Sequence, residues 1–155
     1  MLYKQKKVIL SLVKHNQSKK NWESRYWFLY KDFLNPADAF TDFSCERHDG
    51  KLGYIALIES LLNKDRDANI FVEVYGIDGD DKDVYIYADT LFIFSKLSLP
   101  EIKEVFNKPN DIFPSDVGEI KIPFQQIFVI GDNGDLIPAT KFFKKGDSVY
   151  YCWWD

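Results

Sequence analysis

Apolar residues recur at two different spacings along the chain, and each spacing predicts a different element. In GYIALIESLLNK, residues 53–64, the apolar positions Ile55, Ile58 and Leu61 fall on one face of a helix. A second helix is predicted in SKLSLPEIKEVFNK, residues 95–108, where Ser98 is the expected N-cap and Glu101 completes a capping box. The chain is therefore expected to hold at least these two helices.

Other stretches alternate with a period of two and are rich in β-branched and aromatic residues, which predicts strands. They are NIFVEVYG (69–76), VYIYA (84–88), TLFIFS (90–95) and SVYYCWWD (148–155), whereas residues 111–124 are expected to be mostly loop. Asn133–Gly134, between FVI and LI, predicts a two-residue hairpin turn of type I′, because both central residues of that turn need positive φ.

The first segment, KKVILSLVKHN at residues 6–16, fits either element. Six apolar or small residues in a row, with β-branched residues among them, favour a strand. The polar residues 16–21 and the aromatic run from Trp22 would then complete a hairpin. A helix over residues 2–14 is the alternative.

The tally of about two helices and six to eight strands, without βαβ periodicity, predicts an α+β fold with a largely antiparallel sheet. The 155 residues, of which 46% are apolar, are expected to form a single globular domain, 1–155. No apolar run reaches membrane-spanning length, and the short run at residues 8–13 lacks the features of a secretion signal, so a cytoplasmic location is expected. Two free thiols, Cys45 and Cys152, are favoured over a disulfide.

The charge of the chain is unevenly distributed. The net charge is −4, but residues 1–31 hold eight basic groups and one acidic group, while the remainder holds twelve basic and twenty-three acidic groups. The acidic balance disfavours nucleic acid as the main partner, since phosphate binding depends on Lys and Arg. Lys19 and Lys20 do lie near aromatic residues, as in single-strand binders, but aromatic residues at this spacing are more often core. The balance favours a basic protein partner, or simply solubility.

The stretch GIDGDDKD, residues 76–83, concentrates four aspartates: Asp78, Asp80, Asp81 and Asp83. A calcium loop of the EF-hand type that began at Asp78 would need a ligand residue at position 82 and glycine at position 83, and the chain has Lys82 and Asp83 there. An acidic hairpin turn is the simpler interpretation. A charged recognition loop for a cationic partner is the second, because clustered carboxylates repel one another unless a cation meets them.

Catalytic and metal-binding patterns are weak. Cys45 and His48 have a C-x-x-H spacing, but structural zinc needs about four ligands, and Cys152 and His15 are distant in sequence. The chain has no G-x-S-x-G, P-loop or G-x-G-x-x-G pattern. We therefore predict no catalytic residues, no metal and no cofactor, and keep open an enzyme in which His15 or His48 meets a carboxylate or a thiol in a pocket.

The tail SVYYCWWD is aromatic on both faces of its predicted strand. Tyr150, Cys152 and Trp154 share one face, while Val149, Tyr151 and Trp153 share the other. Burial of both faces is favoured, and a contact surface on the second face is the alternative, because Tyr and Trp are enriched at interface hot spots.

Three stretches, YADTLFIFSKLSLPEIKEVF, IFPSDVGEI and the closing YYCWWD, resemble the small cytoplasmic immunity proteins of bacterial toxin–immunity systems. The resemblance lies in style and layout over the second half of the chain. It implies an acidic, single-domain α+β protein without catalytic residues that neutralises a toxin domain, often a basic nuclease, by direct binding. The basic first segment departs from this pattern.

The resulting hypothesis is a non-catalytic protein that blocks a basic toxin domain by stoichiometric binding. Its predicted partner-binding residues are Asp78, Asp80, Asp81, Asp83, Tyr85, Tyr87 and Trp153. The alternatives are a small cytoplasmic enzyme and a homo-oligomeric module that associates through an exposed edge strand, with the tail as the candidate edge.

Overall fold

The computed structural model of the chain describes residues 1–17, 25–45, 50–78, 85–107, 112–121 and 126–155, with backbone alone for residues 13–17. The helices in these ranges are α1 (Tyr3–Gln17), α2 (Tyr30–Phe33), α3 (Leu52–Lys64) and α4 (Leu99–Asn107), with a 3-10 helix at Ala139–Phe142. The strands are β1 (Arg25–Leu29), β2 (Thr41–Phe43), β3 (Asn69–Glu73), β4 (Gly76–Asp78), β5 (Tyr85–Ala88), β6 (Thr90–Ser95), β7 (Asp116–Glu119), β8 (Ile127–Ile130), β9 (Leu136–Pro138) and β10 (Ser148–Trp153). The predicted α+β class is confirmed.

The strands form two sheets. The larger sheet has the order β7-β10-β6-β3-β1-β8-β9, and all its pairs are antiparallel except β1 with β8. The smaller sheet has the order β2-β5-β4, with β2 parallel and β4 antiparallel to β5. Only Asp89 separates β5 from β6, so the chain passes from one sheet to the other at that residue.

Both faces of the larger sheet are covered. One face, here called the inner face, packs against α1, α3 and α4, and its strand residues include Phe28, Val72 and Ile93. The opposite, outer face carries a second cluster that is covered in part by the 3-10 helix; its buried residues are Trp27, Phe71, Phe92, Phe94, Ile127, Val129, Ala139 and Val149. Burial on two sides explains why β1, β3 and β6 are apolar at consecutive positions. Within the described ranges, no helix is both long and apolar enough to cross a membrane.

The preferred prediction of a strand near the start of the chain, and of a hairpin formed with the following segment, is wrong, and the alternative helix is correct. In α1, Gln5 and Ile9 lie one turn apart and are fully buried, while Lys4 and Lys7 are exposed. The Gln5 side-chain amide donates to the Asp32 carboxylate and to the Ile130 carbonyl. Gln5 occupies a buried position of the helical face although it is polar, so this face cannot be recognised from hydrophobicity alone.

The later elements follow the predicted pattern more closely. Helix α4 and strands β3, β5, β6 and β10 lie within predicted elements, and α3 begins at Leu52, one residue before its predicted start. The capping box of α4 is formed: the Ser98 N–H donates to Glu101 Oε2 at 2.7 Å, and the Glu101 N–H donates to Ser98 Oγ at 3.4 Å. The described residues 112–115 and 120–121 are loop, as expected for residues 111–124, and the short strand β7 between them was not predicted.

The tail is an internal strand. Strand β10 lies between β7 and β6, so the prediction that the tail is an exposed edge is wrong. Trp154 is buried on the inner side, where its indole N–H donates to the Ile112 carbonyl at 2.8 Å. On the outer face Val149 is buried, Tyr151 is half-buried and Trp153 is 38% exposed. The second face of the tail therefore passes from core at one end to surface at the other.

The hairpin of β8 and β9 is confirmed, but its turn type is not. Asn133 does not have a positive φ, whereas Gly134 has a φ of 80°. The Gly134 N–H donates to the Gly131 carbonyl, and the Gly131 N–H donates to the Asp135 carbonyl, each at 2.9 Å. This is the pattern of a three-residue loop that ends on a left-handed glycine.

Gly134→Ala should lower the free energy of unfolding by about 2–3 kcal/mol, because alanine would need a positive φ and its Cβ would crowd α1. That Cβ would lie 2.8 Å from Val8 Cγ2. Gly146→Ala is the matched control, with a φ of 91° and nothing within 4 Å, and should cost only about 1–2 kcal/mol. Urea denaturation measures the free energy of unfolding of both variants. Equal decreases in the two variants would show that the contact with α1 contributes nothing to the cost of Gly134→Ala.

Asp65 joins the end of α3 to the end of β6. Its carboxylate accepts hydrogen bonds from Ser95 Oγ at 2.7 Å, from the Lys96 N–H at 3.2 Å and from the Asp67 N–H at 3.2 Å. Burial alone would raise the pKa of the Asp65 carboxyl, but these hydrogen bonds outweigh it and hold the pKa below its ordinary value. The ionised form is therefore favoured in the folded protein.

Asp65→Asn should lower the free energy of unfolding by about 1–2 kcal/mol at pH 7, since the amide presents one acceptor where the carboxylate presents two. Because the folded pKa is depressed, this stabilisation is present above the unfolded pKa of about 3.9 and is lost as the pH falls through the folded value. The difference between wild type and variant should therefore shrink between pH 5 and pH 2 in thermal unfolding. Asp132→Asn, at an exposed aspartate of the β8–β9 loop, serves as control. A stability difference between wild type and Asp65→Asn that did not change with pH would contradict the depressed pKa of Asp65.

Candidate functional site

The outward face of the smaller sheet carries tyrosines and aspartates. Along β5, Ile86 and Ala88 are buried, so Tyr85 and Tyr87 point outward. The register pairs Asp42 of β2 and Gly76 of β4 with Tyr87, and Asp78 of β4 with Tyr85. Because paired residues share a face of the sheet, Asp42, Asp78, Tyr85 and Tyr87 lie on the same side.

Tyr75 extends this face just before β4. Its ring is 60% exposed, and its centroid lies 6.4 Å from that of Tyr87 with 33° between the ring planes. The backbone N–H of Tyr75 donates to the Tyr87 carbonyl at 3.1 Å. A Cβ added at Gly76 would meet nothing within 4 Å, so the space beside Tyr87 is open.

Asp89 connects the smaller sheet to the exposed end of the tail. Its Oδ2 accepts a hydrogen bond from the Trp153 indole N–H at 3.2 Å, and its Oδ1 accepts one from Thr90 Oγ1 at 2.7 Å. The backbone carbonyl of Asp89 accepts from the Trp154 N–H at 3.0 Å. The Trp153 ring is therefore held beside the junction of the two sheets.

These residues form one surface, here called the tyrosine–aspartate surface. It consists of Asp42, Tyr75, Asp78, Tyr85, Tyr87, Asp89 and Trp153. Partial burial raises the pKa of the Tyr75 hydroxyl, and the charges of Asp89 and Asp42 raise it further. The carboxylates of Asp42, on β2, and of Asp89, between β5 and β6, thus act in the same direction on the Tyr75 phenol.

The structure gathers four of the seven predicted partner-binding residues on this surface. Asp78, Tyr85 and Tyr87 flank the acidic loop, and Trp153 joins them through its hydrogen bond to Asp89. Asp80, Asp81 and Asp83 lie outside the described residues, and so does the loop of the calcium alternative. Residues 79–84 connect the paired ends of β4 and β5, which fits the predicted hairpin. The predicted set of partner-binding residues missed Asp42, Tyr75 and Asp89.

A cleft of about 510 Å³ lies beside this surface, lined by Pro36, Thr41, Asp42, Gly50, Lys51, Leu52 and Gly53. The Lys51 ammonium donates to the carbonyls of Asn35 and Asp38 and to Thr41 Oγ1, at 2.9, 2.6 and 2.5 Å. Burial lowers the pKa of Lys51, while the charges of Asp38 and Asp42 act in the opposite direction. Three acceptors hold the amine in place, so Lys51 has a structural role in tying α3 to the segment after α2.

The two thiols are free, as expected. Complete burial raises the pKa of the Cys152 thiol far above its ordinary value, with a further contribution from Asp116, which keeps it protonated. The Cys45 residue is half-buried, and its sulfur accepts a hydrogen bond from the Tyr54 hydroxyl at 3.7 Å.

Among the residues that the structure describes, no three His, Cys, Asp or Glu side chains are grouped to hold a metal ion. His48 and the His15 side chain lie outside them, so the zinc and enzyme alternatives stay untested.

Comparison of the chain with protein-family models, with curated protein sequences and with solved structures finds no match. The functional argument therefore depends on the tyrosine–aspartate surface itself.

Asp89→Asn should lower the pKa of Tyr75, because a nearby negative charge opposes formation of the phenolate. Asp42→Asn should act in the same direction. NMR titration of the tyrosine ring carbons between pH 8 and pH 12 measures the change, and Asp132→Asn should leave the Tyr75 curve where it is. An unshifted curve in Asp89→Asn would show that this carboxylate does not face Tyr75.

Proposed function

We propose that this chain is a non-catalytic binding protein that holds a basic protein partner on the tyrosine–aspartate surface. The observation that carries the proposal is the joint exposure of aromatic rings and carboxylates. Tyr75, Tyr85 and Trp153 are 60%, 49% and 38% exposed, on the surface that also holds Asp42, Asp78 and Asp89.

Each component has a separate part in binding. Tyrosine and tryptophan bury a large area with few rotatable bonds and keep a polar group for hydrogen bonding, so they supply most of the interface energy. The carboxylates attract a basic partner over a distance and raise its association rate. This surface is negatively charged, because it holds three described carboxylates and adjoins a loop whose sequence contains three more aspartates.

The more specific proposal is an immunity protein that acts in the cytoplasm on a basic toxin domain. The resemblance of the second half of the chain to such proteins supports it, as does the acidic balance after residue 31. The basic first segment does not oppose it, because Lys4 and Lys7 lie on α1, an element separate from the three strands of the smaller sheet and from the tail. Stoichiometric neutralisation by direct contact needs no catalytic residue in this chain.

Co-expression tests the proposal directly. If the gene beside that of this chain encodes a toxin domain, production of this chain should restore growth of cells that express that domain. The purified pair should form a one-to-one complex whose affinity falls as salt is added, because salt screens the opposite charges. A neighbouring toxin that is neither bound nor neutralised would contradict the proposal, and so would a protective effect without a complex.

Two variants locate the binding surface. Replacement of Asp78, Asp80, Asp81 and Asp83 by asparagine should weaken the complex about 10- to 100-fold at low salt and flatten its salt dependence. Gly76→Ile should weaken it at least about tenfold by filling the open space beside Tyr87. Isoleucine suits a strand, and its Cβ would meet nothing within 4 Å apart from the adjacent residues of the chain, so the free energy of unfolding should change by less than about 0.5 kcal/mol. Isothermal calorimetry and urea denaturation measure the two effects; full affinity in both variants would place the partner elsewhere.

A further inference from the structure

We propose that Tyr75, Tyr87, Asp42 and Asp89 form a subsite that receives the guanidinium group of one arginine side chain of the basic partner. The inference rests on the proposed function and names the chemical group that the centre of the tyrosine–aspartate surface recognises. The subsite is expected to bind an arginine side chain more tightly than a lysine side chain.

The two tyrosines supply the aromatic part of this subsite. Their centroids are 6.4 Å apart and their planes are tilted by 33°, so the rings stand side by side and are not closed into a face-to-face stack. Tyr75 is 60% exposed, and the absent side chain at Gly76 leaves room next to Tyr87. A planar cation can therefore approach the ring pair without displacement of another side chain.

Two carboxylates flank the ring pair, and both are oriented before a partner arrives. Asp89 is fixed by the hydrogen bonds from Trp153 Nε1 and Thr90 Oγ1, and Asp42 accepts one from Ser44 Oγ at 3.2 Å. A carboxylate oxygen can accept more than one hydrogen bond, so these contacts orient the groups and leave acceptor capacity. Asp42 lies on β2, where it pairs with Tyr87, and Asp89 directly follows β5, two residues after Tyr87 in the chain.

This combination suits arginine better than lysine. A guanidinium is flat, stacks on aromatic rings and is weakly hydrated, and its donors point in several fixed directions that can reach separate carboxylates. An ammonium is a compact and strongly hydrated point charge, so it gains attraction from the carboxylates but little from the rings. Charge alone would not distinguish the two residues.

Peptide probes test the subsite without a known partner. The probes are two peptides of equal length and charge, acetyl-GRGRGRG-amide and acetyl-GKGKGKG-amide, titrated into the full chain and followed by NMR of the tyrosine rings. The arginine peptide should bind about fivefold more tightly than the lysine peptide. This ratio should persist when salt is raised, because stacking is screened much less than charge attraction.

Variants assign the preference to the subsite. Tyr75→Leu should remove most of the fivefold preference, whereas Tyr75→Phe should keep it, because the ring remains. Tyr3→Leu is the control, since Tyr3 is another exposed tyrosine, 77% exposed, on α1. Asp42→Asn and Asp89→Asn should weaken both peptides, while Asp132→Asn should weaken neither.

The outcomes separate this inference from the proposed function. Equal binding of the two peptides, or a preference that survives Tyr75→Leu, would overturn the arginine subsite and leave a basic-partner surface without it. Failure of both peptides to bind, together with failure of the neighbouring toxin domain to bind, would overturn the proposed function as well. Shifts confined to Tyr3 would also overturn the subsite.

Discussion

Burial of both faces of the seven-stranded sheet is the constraint from which the rest of the structure follows. On the outer face Trp27 stacks on Phe92 at 4.6 Å, and on the inner side Trp154 meets Phe43 at 5.6 Å, edge to face. Both edges of β6 are occupied, by β3 and β10, so β5 does not pair with β6 and lies instead between β2 and β4 in the second sheet. The chain crosses from the second sheet to the large one at Asp89, and Tyr85 remains exposed on the outward face of the second sheet.

Elements that are determined by residues close together in the chain could be predicted from the sequence. Elements that depend on contacts with residues far away in the chain could not. The N-terminus of α4 is set by Ser98 and Glu101, three residues apart, and is visible in the sequence. Helix α1 is not, because the burial of Gln5 depends on acceptors 27 and 125 residues away. Asn133–Gly134 marks the position of a turn correctly, but the turn type depends on backbone angles and on loop length, which two residues do not determine.

The same difference between local and distant signals applies to the residues of the tyrosine–aspartate surface. Alternation along β5 is enough to predict that Tyr85 and Tyr87 share a face, and the pairing of Asp78 with Tyr85 follows from a hairpin. Asp42 had no such signal, because it reaches Tyr87 through a parallel pair between strands about 45 residues apart in the chain. Asp89 could not be predicted for another reason. A single residue between two strands is typical of a turn, and only the structure shows that the chain changes sheet there and that Asp89 contacts Trp153.

The pairing of β1 has a consequence for how fast the protein can fold. Arg25 lies beside Ile127 in a parallel pair, so about 100 residues must be brought into a closed loop before β1 gains its second neighbour. Sheets built from such distant segments fold in about milliseconds to seconds, because the entropy of loop closure is lost before the contacts form. Under the proposed one-to-one binding of a partner, the effective concentration of this protein is that of the chains that have already completed this slow step.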